Sequence, residues 1–199
     1  MIRSLFLSIF AIILFSCKSG TDKSQSSESS EKKSVDARQE IVSFFPLTSF
    51  IQGQLAEIKA SGVNPLKFTF NEKGKDSVWI KMEELESEFS ELIKPTIDSG
   101  SMSQYFRESS FMDETLNMVT LTYDPVKPIP EKINWIHWDI YIAPETNSIS
   151  RVYMVKKLPD NHKKQITLIP GKNCRIITIN DEATDVKTAK ISDILIKWD

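Results

Sequence analysis

Trp135-Ile136-His137-Trp138-Asp139-Ile140-Tyr141-Ile142 alternates apolar and polar side chains along one segment. A strand sends successive side chains to opposite faces, so Ile136, Trp138, Ile140 and Ile142 are expected on one face. Trp135, His137, Asp139 and Tyr141 are then expected on the other. Pro144-Glu145-Thr146-Asn147-Ser148 supplies turn chemistry, and Val152 and Met154 alternate in a returning strand. Three further strand candidates follow at residues 164–169, 175–179 and 191–198, separated by Gly171-Lys172-Asn173 and Asn180-Asp181-Glu182. On the amino-terminal side, Val119, Leu121 and Tyr123 alternate with threonines, and Pro125, Pro128 and Pro130 stop that strand. Strands joined by short turns predict an antiparallel meander.

Upstream of the meander the apolar spacing changes. Leu47, Phe50, Ile51, Leu55 and Ile58 recur every three or four residues behind Pro46, and Gly62 follows. That pattern predicts a core-facing helix with a glycine stop. Asp36 and Gln39 resemble a capping pair ahead of Ile41, Val42, Phe44 and Phe45. Leu66, Phe68 and Phe70, the turn residues 71–76, and Val78, Ile80 and Met82 predict a hairpin. Residues 83–94 carry Leu85, Phe89, Leu92 and Ile93 at helical spacing before Pro95. Residues 98–111 read as a loop with a short helix around Met102 to Phe106. The fold class expected is α+β: a mainly carboxy-terminal antiparallel meander packed by two or three amino-terminal helices, all within residues 36–199.

The first seventeen residues carry a different signal. Arg3 precedes an apolar run from Leu5 to Phe15, and Leu14-Phe15-Ser16-Cys17 follows the pattern of a lipoprotein cleavage site. The run is shorter than the roughly 20 apolar residues of a transmembrane helix. It resembles a bacterial lipoprotein signal, which implies that residues 1–16 are removed and that Cys17 is acylated. Residues 18–34 contain no aliphatic or aromatic side chain, so they cannot offset their ordering entropy by burial. Residues 17–35 are therefore expected to be the acylated cysteine and a disordered tether, with a mean reach of about 25 Å. Lys18 after the cysteine lacks the aspartate that holds enteric lipoproteins at the inner membrane, and Asp22 stands alone rather than in an acidic cluster. The resemblance thus implies the outer membrane, periplasmic face rather than cell surface.

Removing Arg3 with the signal takes the 25 basic and 27 acidic side chains to 24 and 27, a net charge of about −3. The basic residues are scattered, which gives no electrostatic footprint for nucleic acid. The partners expected are the membrane, through lipid on Cys17, and an envelope protein.

The remaining cysteine, Cys174, lies in apolar sequence and reads as a buried strand thiol rather than a nucleophile. Glu83, Glu84, Glu86, Glu88 and Glu91 read as a solvated helix face, and His162 as a turn residue, so no metal site or cofactor is expected. The chain lacks Gly-x-Ser-x-Gly, His-Glu-x-x-His, Cys-x-x-Cys, a phosphate loop and a dinucleotide fingerprint. The candidate ligand surface is Trp135, His137, Asp139 and Tyr141, where His137 could titrate, Asp139 orient it and the aromatics contact a ligand.

Residues 138–152, with their aromatic and hydrophobic strand, Thr146-Asn147 turn and returning strand, resemble the hairpin of PepSY-like domains, with Asn147 where those carry glycine. The resemblance implies an α+β binding or inhibitory module and transfers no site residue. Anchor, tether and missing catalytic signatures point to a noncatalytic envelope lipoprotein that binds a protein or small ligand. An envelope hydrolase with an unrecognised site, or a structural component of an envelope assembly, are the alternatives.

Overall fold

A computed structural model describes residues 44–72, 74–183 and 189–199. The signal segment, Cys17, the tether and the Asp36–Gln39 capping pair lie outside the described residues. Helix α1 spans Leu47–Ser61 and ends where Gly62 takes a left-handed φ of 69°, its N–H reaching the Lys59 carbonyl. Glycine accepts that conformation without the Cβ clash other residues would meet. Strands β1 (Leu66–Asn71) and β2 (Gly74–Trp79) form the expected hairpin, but its turn is shorter, so Lys75 and Asp76 belong to β2. Met82 opens helix α2 (Met82–Leu92) instead of closing β2. A four-residue helix, α3 (Ser99–Met102), is capped by the Asp98 carboxylate, which accepts from the Ser101 N–H at 2.8 Å.

The meander then runs through β3 (Phe106–Asp113), β4 (Met118–Pro125), β5 (Trp135–Ala143), β6 (Ser148–Lys157), β7 (His162–Ile169), β8 (Asn173–Asn180) and β9 (Lys190–Lys197). Strand β3 falls where the sequence reads as loop and helix. Its Arg107-Glu108-Ser109-Ser110 run has no alternation of apolar residues, and pairing with β4 makes it a strand. All pairings are antiparallel, and β1 docks on β9, giving one nine-stranded sheet in the order β2-β1-β9-β8-β7-β6-β5-β4-β3. The class is α+β with the sheet dominant: the amino-terminal hairpin joins the same sheet as the carboxy-terminal meander.

One cluster of buried side chains joins Leu47, Ile51 and Ile58 of α1 and Leu85 and Phe89 of α2 to a single face of the sheet. Trp138 lies at its centre, stacked on Tyr123 at 5.0 Å between ring centroids and tilted against Phe106 at 4.6 Å. Ile140, Val152, Met154, Ile166, Leu168, Cys174, Ile176 and Ile196 continue this face across five strands. Burial pushes the Cys174 thiol up to about 12, with the Glu88 carboxylate adding to the rise, which suits a packed thiol rather than a nucleophile.

The α2 acids depart from a purely solvated face. Glu84 and Glu88 both take Lys67, at 3.3 and 3.0 Å, and Glu86 takes Lys59 at 2.7 Å. They tie α2 to β1 and α1, and no metal-ligating cluster occurs among the described residues.

One expectation fails in an informative way. Pairing of β5 with β6 slips between Trp135 and His137, which leaves Ile136 as the extra residue of a β-bulge. The bulge reverses the side-chain phase at its amino-terminal side, so Trp135 joins Trp138 in the core instead of His137 on the opposite face. There the Trp135 indole N–H donates to the Pro95 carbonyl at 2.7 Å. The buried Lys156 ammonium lies 5.2 Å from the Trp135 ring and donates to the carbonyls of Glu91, at 3.1 Å, and of Lys94. A cation there satisfies carbonyls at the carboxy-terminal end of α2.

Candidate functional site

The sheet face away from the helices is set by strand parity and register. His137, Asp139 and Tyr141 of β5 lie on it, as expected. Thr122 and Asp124 of β4 share their side, since Thr122 pairs with Asp139 and the intervening Tyr123 points into the core. From β6 come Tyr153, opposite Asp139, and Arg151, opposite Tyr141.

These side chains form one network. The two ring nitrogens of His137 each face a carboxylate: Nδ1 lies 2.7 Å from Asp124 Oδ1, and Nε2 lies 2.9 Å from Asp139 Oδ2. Thr122 donates to Asp139 Oδ1 at 2.6 Å, and the Tyr141 hydroxyl reaches Asp139 Oδ2 at 3.5 Å. The Arg151 guanidinium stacks 3.8 Å from the Tyr141 ring centre, and the Tyr153 ring sits 6.2 Å from the imidazole. Of the four residues expected on this face, His137, Asp139 and Tyr141 lie on it and Trp135 does not, while Thr122, Asp124, Arg151 and Tyr153 were missed. Cross-strand register was the signal that could have found them, because none is remarkable within its own strand.

A neutral imidazole has one donor and one acceptor, so between two carboxylates it would set one acceptor against another. The imidazolium satisfies both. Burial acts to lower the His137 pKa, but the hydrogen bonds and charges of Asp124 and Asp139 outweigh it and raise the pKa above the ordinary 6.5. A raised folded-state value means the added stability is fully present below the ordinary pKa and is lost as pH rises through the folded one. The stability difference between wild type and His137→Gln should therefore shrink as pH rises from about 6 through the folded value, as read by urea denaturation at a series of pH values. A difference independent of pH would show that the clamp does not hold a charged imidazole.

The same face carries three further cation–aromatic pairs, Lys75 at 3.8 Å from Phe68 and 5.8 Å from Phe70, and Arg175 at 5.7 Å from Phe70. Asp193, 1% exposed, accepts from Arg175 at 2.9 and 2.7 Å and from Lys190 at 3.1 Å. Those partners, Arg175 foremost, outweigh burial and hold its pKa below the usual range. The hairpin residue Asn147 adopts φ 52°, a left-handed conformation that asparagine accepts more readily than most side chains. His162, read from sequence as a turn residue, is instead the half-buried first residue of β7, paired with Asn180, and its carbonyl accepts the Leu158 N–H.

Fold and face together define an α+β sheet protein with one helix-packed face and one polar, aromatic face. No family model matches the chain, and neither the curated proteins nor the solved structures contain a match.

Proposed function

We propose that this is a lipid-anchored, noncatalytic envelope protein, carried by Cys17 on the periplasmic face of the outer membrane, whose polar sheet face binds a protein or small ligand. The reading of the anchor rests on the sequence of the first seventeen residues. The observation that carries the binding role is the occupied state of His137: both ring nitrogens are engaged by carboxylates, so neither is free to take a proton from a substrate. The network offers instead a fixed array of donors, acceptors and aromatic faces, supported by β4, β5 and β6. Side-chain exposures of 28% for His137 and 13% for Asp139 leave the cluster reachable but held in place. No helix among the described residues is long and apolar enough to cross a membrane, which is compatible with attachment through lipid.

Affinity capture of the full-length protein from native membranes tests the role. A bound species should be recovered at fixed stoichiometry, and His137→Ala should reduce its recovery several-fold while changing stability by less than about 1 kcal/mol. Equal recovery with His137→Ala would remove the sheet face from the binding reaction. Hydrolytic turnover lost in the same variant would favour an enzyme.

A further inference from the structure

A cleft lies beyond the proline-stopped end of β4. Its volume is about 670 Å³, and its wall comes from the connection after Pro125, from Ile136 and from the end of β6 at Lys157 to Pro159. Small-molecule sites run from about 300 to 1,000 Å³, so the space suits a compact ligand. Ile136 contributes to the wall because it is the bulge residue: the irregularity that sends Trp135 into the core leaves Ile136 for the cleft.

The walls are stiffened locally. Pro128, Pro130 and Pro159 have restricted φ. Backbone bonds pin the segments between them, from Val126 N–H to the Tyr105 carbonyl at 2.8 Å, Ile133 N–H to Pro130 at 2.8 Å, and Lys157 N–H to Asn134 at 2.7 Å. Pro128, Ile129, Ile136 and Leu158 make an apolar lining. The charged lining is Lys127, Lys157 and Glu131, one positive charge in excess. Among the described residues neither lysine has a carboxylate partner, and Lys127 rests 4.7 Å from the Tyr105 ring centre.

We propose that this cleft binds a small amphiphilic carboxylate, its apolar body against Ile136 and Leu158 and its single negative charge between Lys127 and Lys157. The excess of one positive charge matches a monoanion, and the apolar wall excludes a fully hydrated ion. The proposal stands apart from the sheet-face reading and shares no residue with it.

Sodium octanoate titrated into the full chain in lipid nanodiscs, with empty nanodiscs as the blank, tests the site by calorimetry. Saturable binding above the blank is expected, with octylammonium bound at least several-fold more weakly. Lys127→Ala with Lys157→Ala should weaken octanoate binding about tenfold, since each lysine provides one partly exposed charge pair. Lys127→Arg with Lys157→Arg should retain it, and both double variants should keep the wild-type thermal midpoint because the two side chains are exposed. Absence of saturable binding, equal affinity for octylammonium, or undiminished binding in the alanine pair would overturn the proposal. Octyl phosphate bound tenfold more tightly than octanoate would also overturn it, by assigning the cleft to phosphate.

Discussion

Trp135→Ala is expected to destabilise the protein by about 3–5 kcal/mol, as much as Trp138→Ala, the ordinary cost of emptying a large core site. Both indoles are fully buried, although strict alternation along β5 would set them on opposite faces. Trp135 has a second role, because its N–H donates to the Pro95 carbonyl and its ring accompanies the Lys156 ammonium. Trp138 is held by packing, and its buried N–H has no partner among the described residues. Phenylalanine should therefore be tolerated better at 138 than at 135, where it leaves a carbonyl without its donor. Urea denaturation of the four variants reads both comparisons. A loss below about 1 kcal/mol for Trp135→Ala would return Trp135 to an exposed face and remove the bulge from the account.

Cys17→Ser is expected to release the protein from membranes almost completely. Each buried acyl methylene contributes about 0.8 kcal/mol, so the chains of a bacterial lipoprotein hold far more tightly than any exposed side chain here. Among the described residues the largest exposed apolar groups, such as Trp79 and Phe111 at 67% each, lie on edge strands β2 and β3. Fractionation with an alkaline wash should leave wild type in the pellet and Cys17→Ser in the supernatant. Retention of the variant would place the membrane attachment elsewhere in the chain.

The sheet was legible because its central strands obey period two: Trp138 and Ile140, Val152 and Met154, and Ile166 and Leu168 each mark a core face by themselves. Helix α1 was legible for the same kind of reason, with Gly62 as its stop. The bulge at Ile136 was not, since it follows from pairing with β6 and leaves no mark in the residues of β5. Strand β3 was hidden because Arg107 to Ser110 carry no apolar alternation, their place being fixed by β4. At the site, His137, Asp139 and Tyr141 could be grouped from one strand. Asp124, the second arm of the His137 clamp, could not, because it lies on β4 and meets the imidazole only through the sheet's register.

The reading of the polar sheet face as a binding surface is tested most directly by photo-cross-linking in intact membranes. A photoreactive side chain at Arg151, stacked on Tyr141 beside the His137 cluster, is compared with one at Ala56 on the exposed side of α1. The account predicts a discrete adduct from position 151, resolved by mass spectrometry, that is lost with His137→Ala and absent from position 56. Adducts of equal yield from both positions, or an adduct from 56 alone, would contradict it.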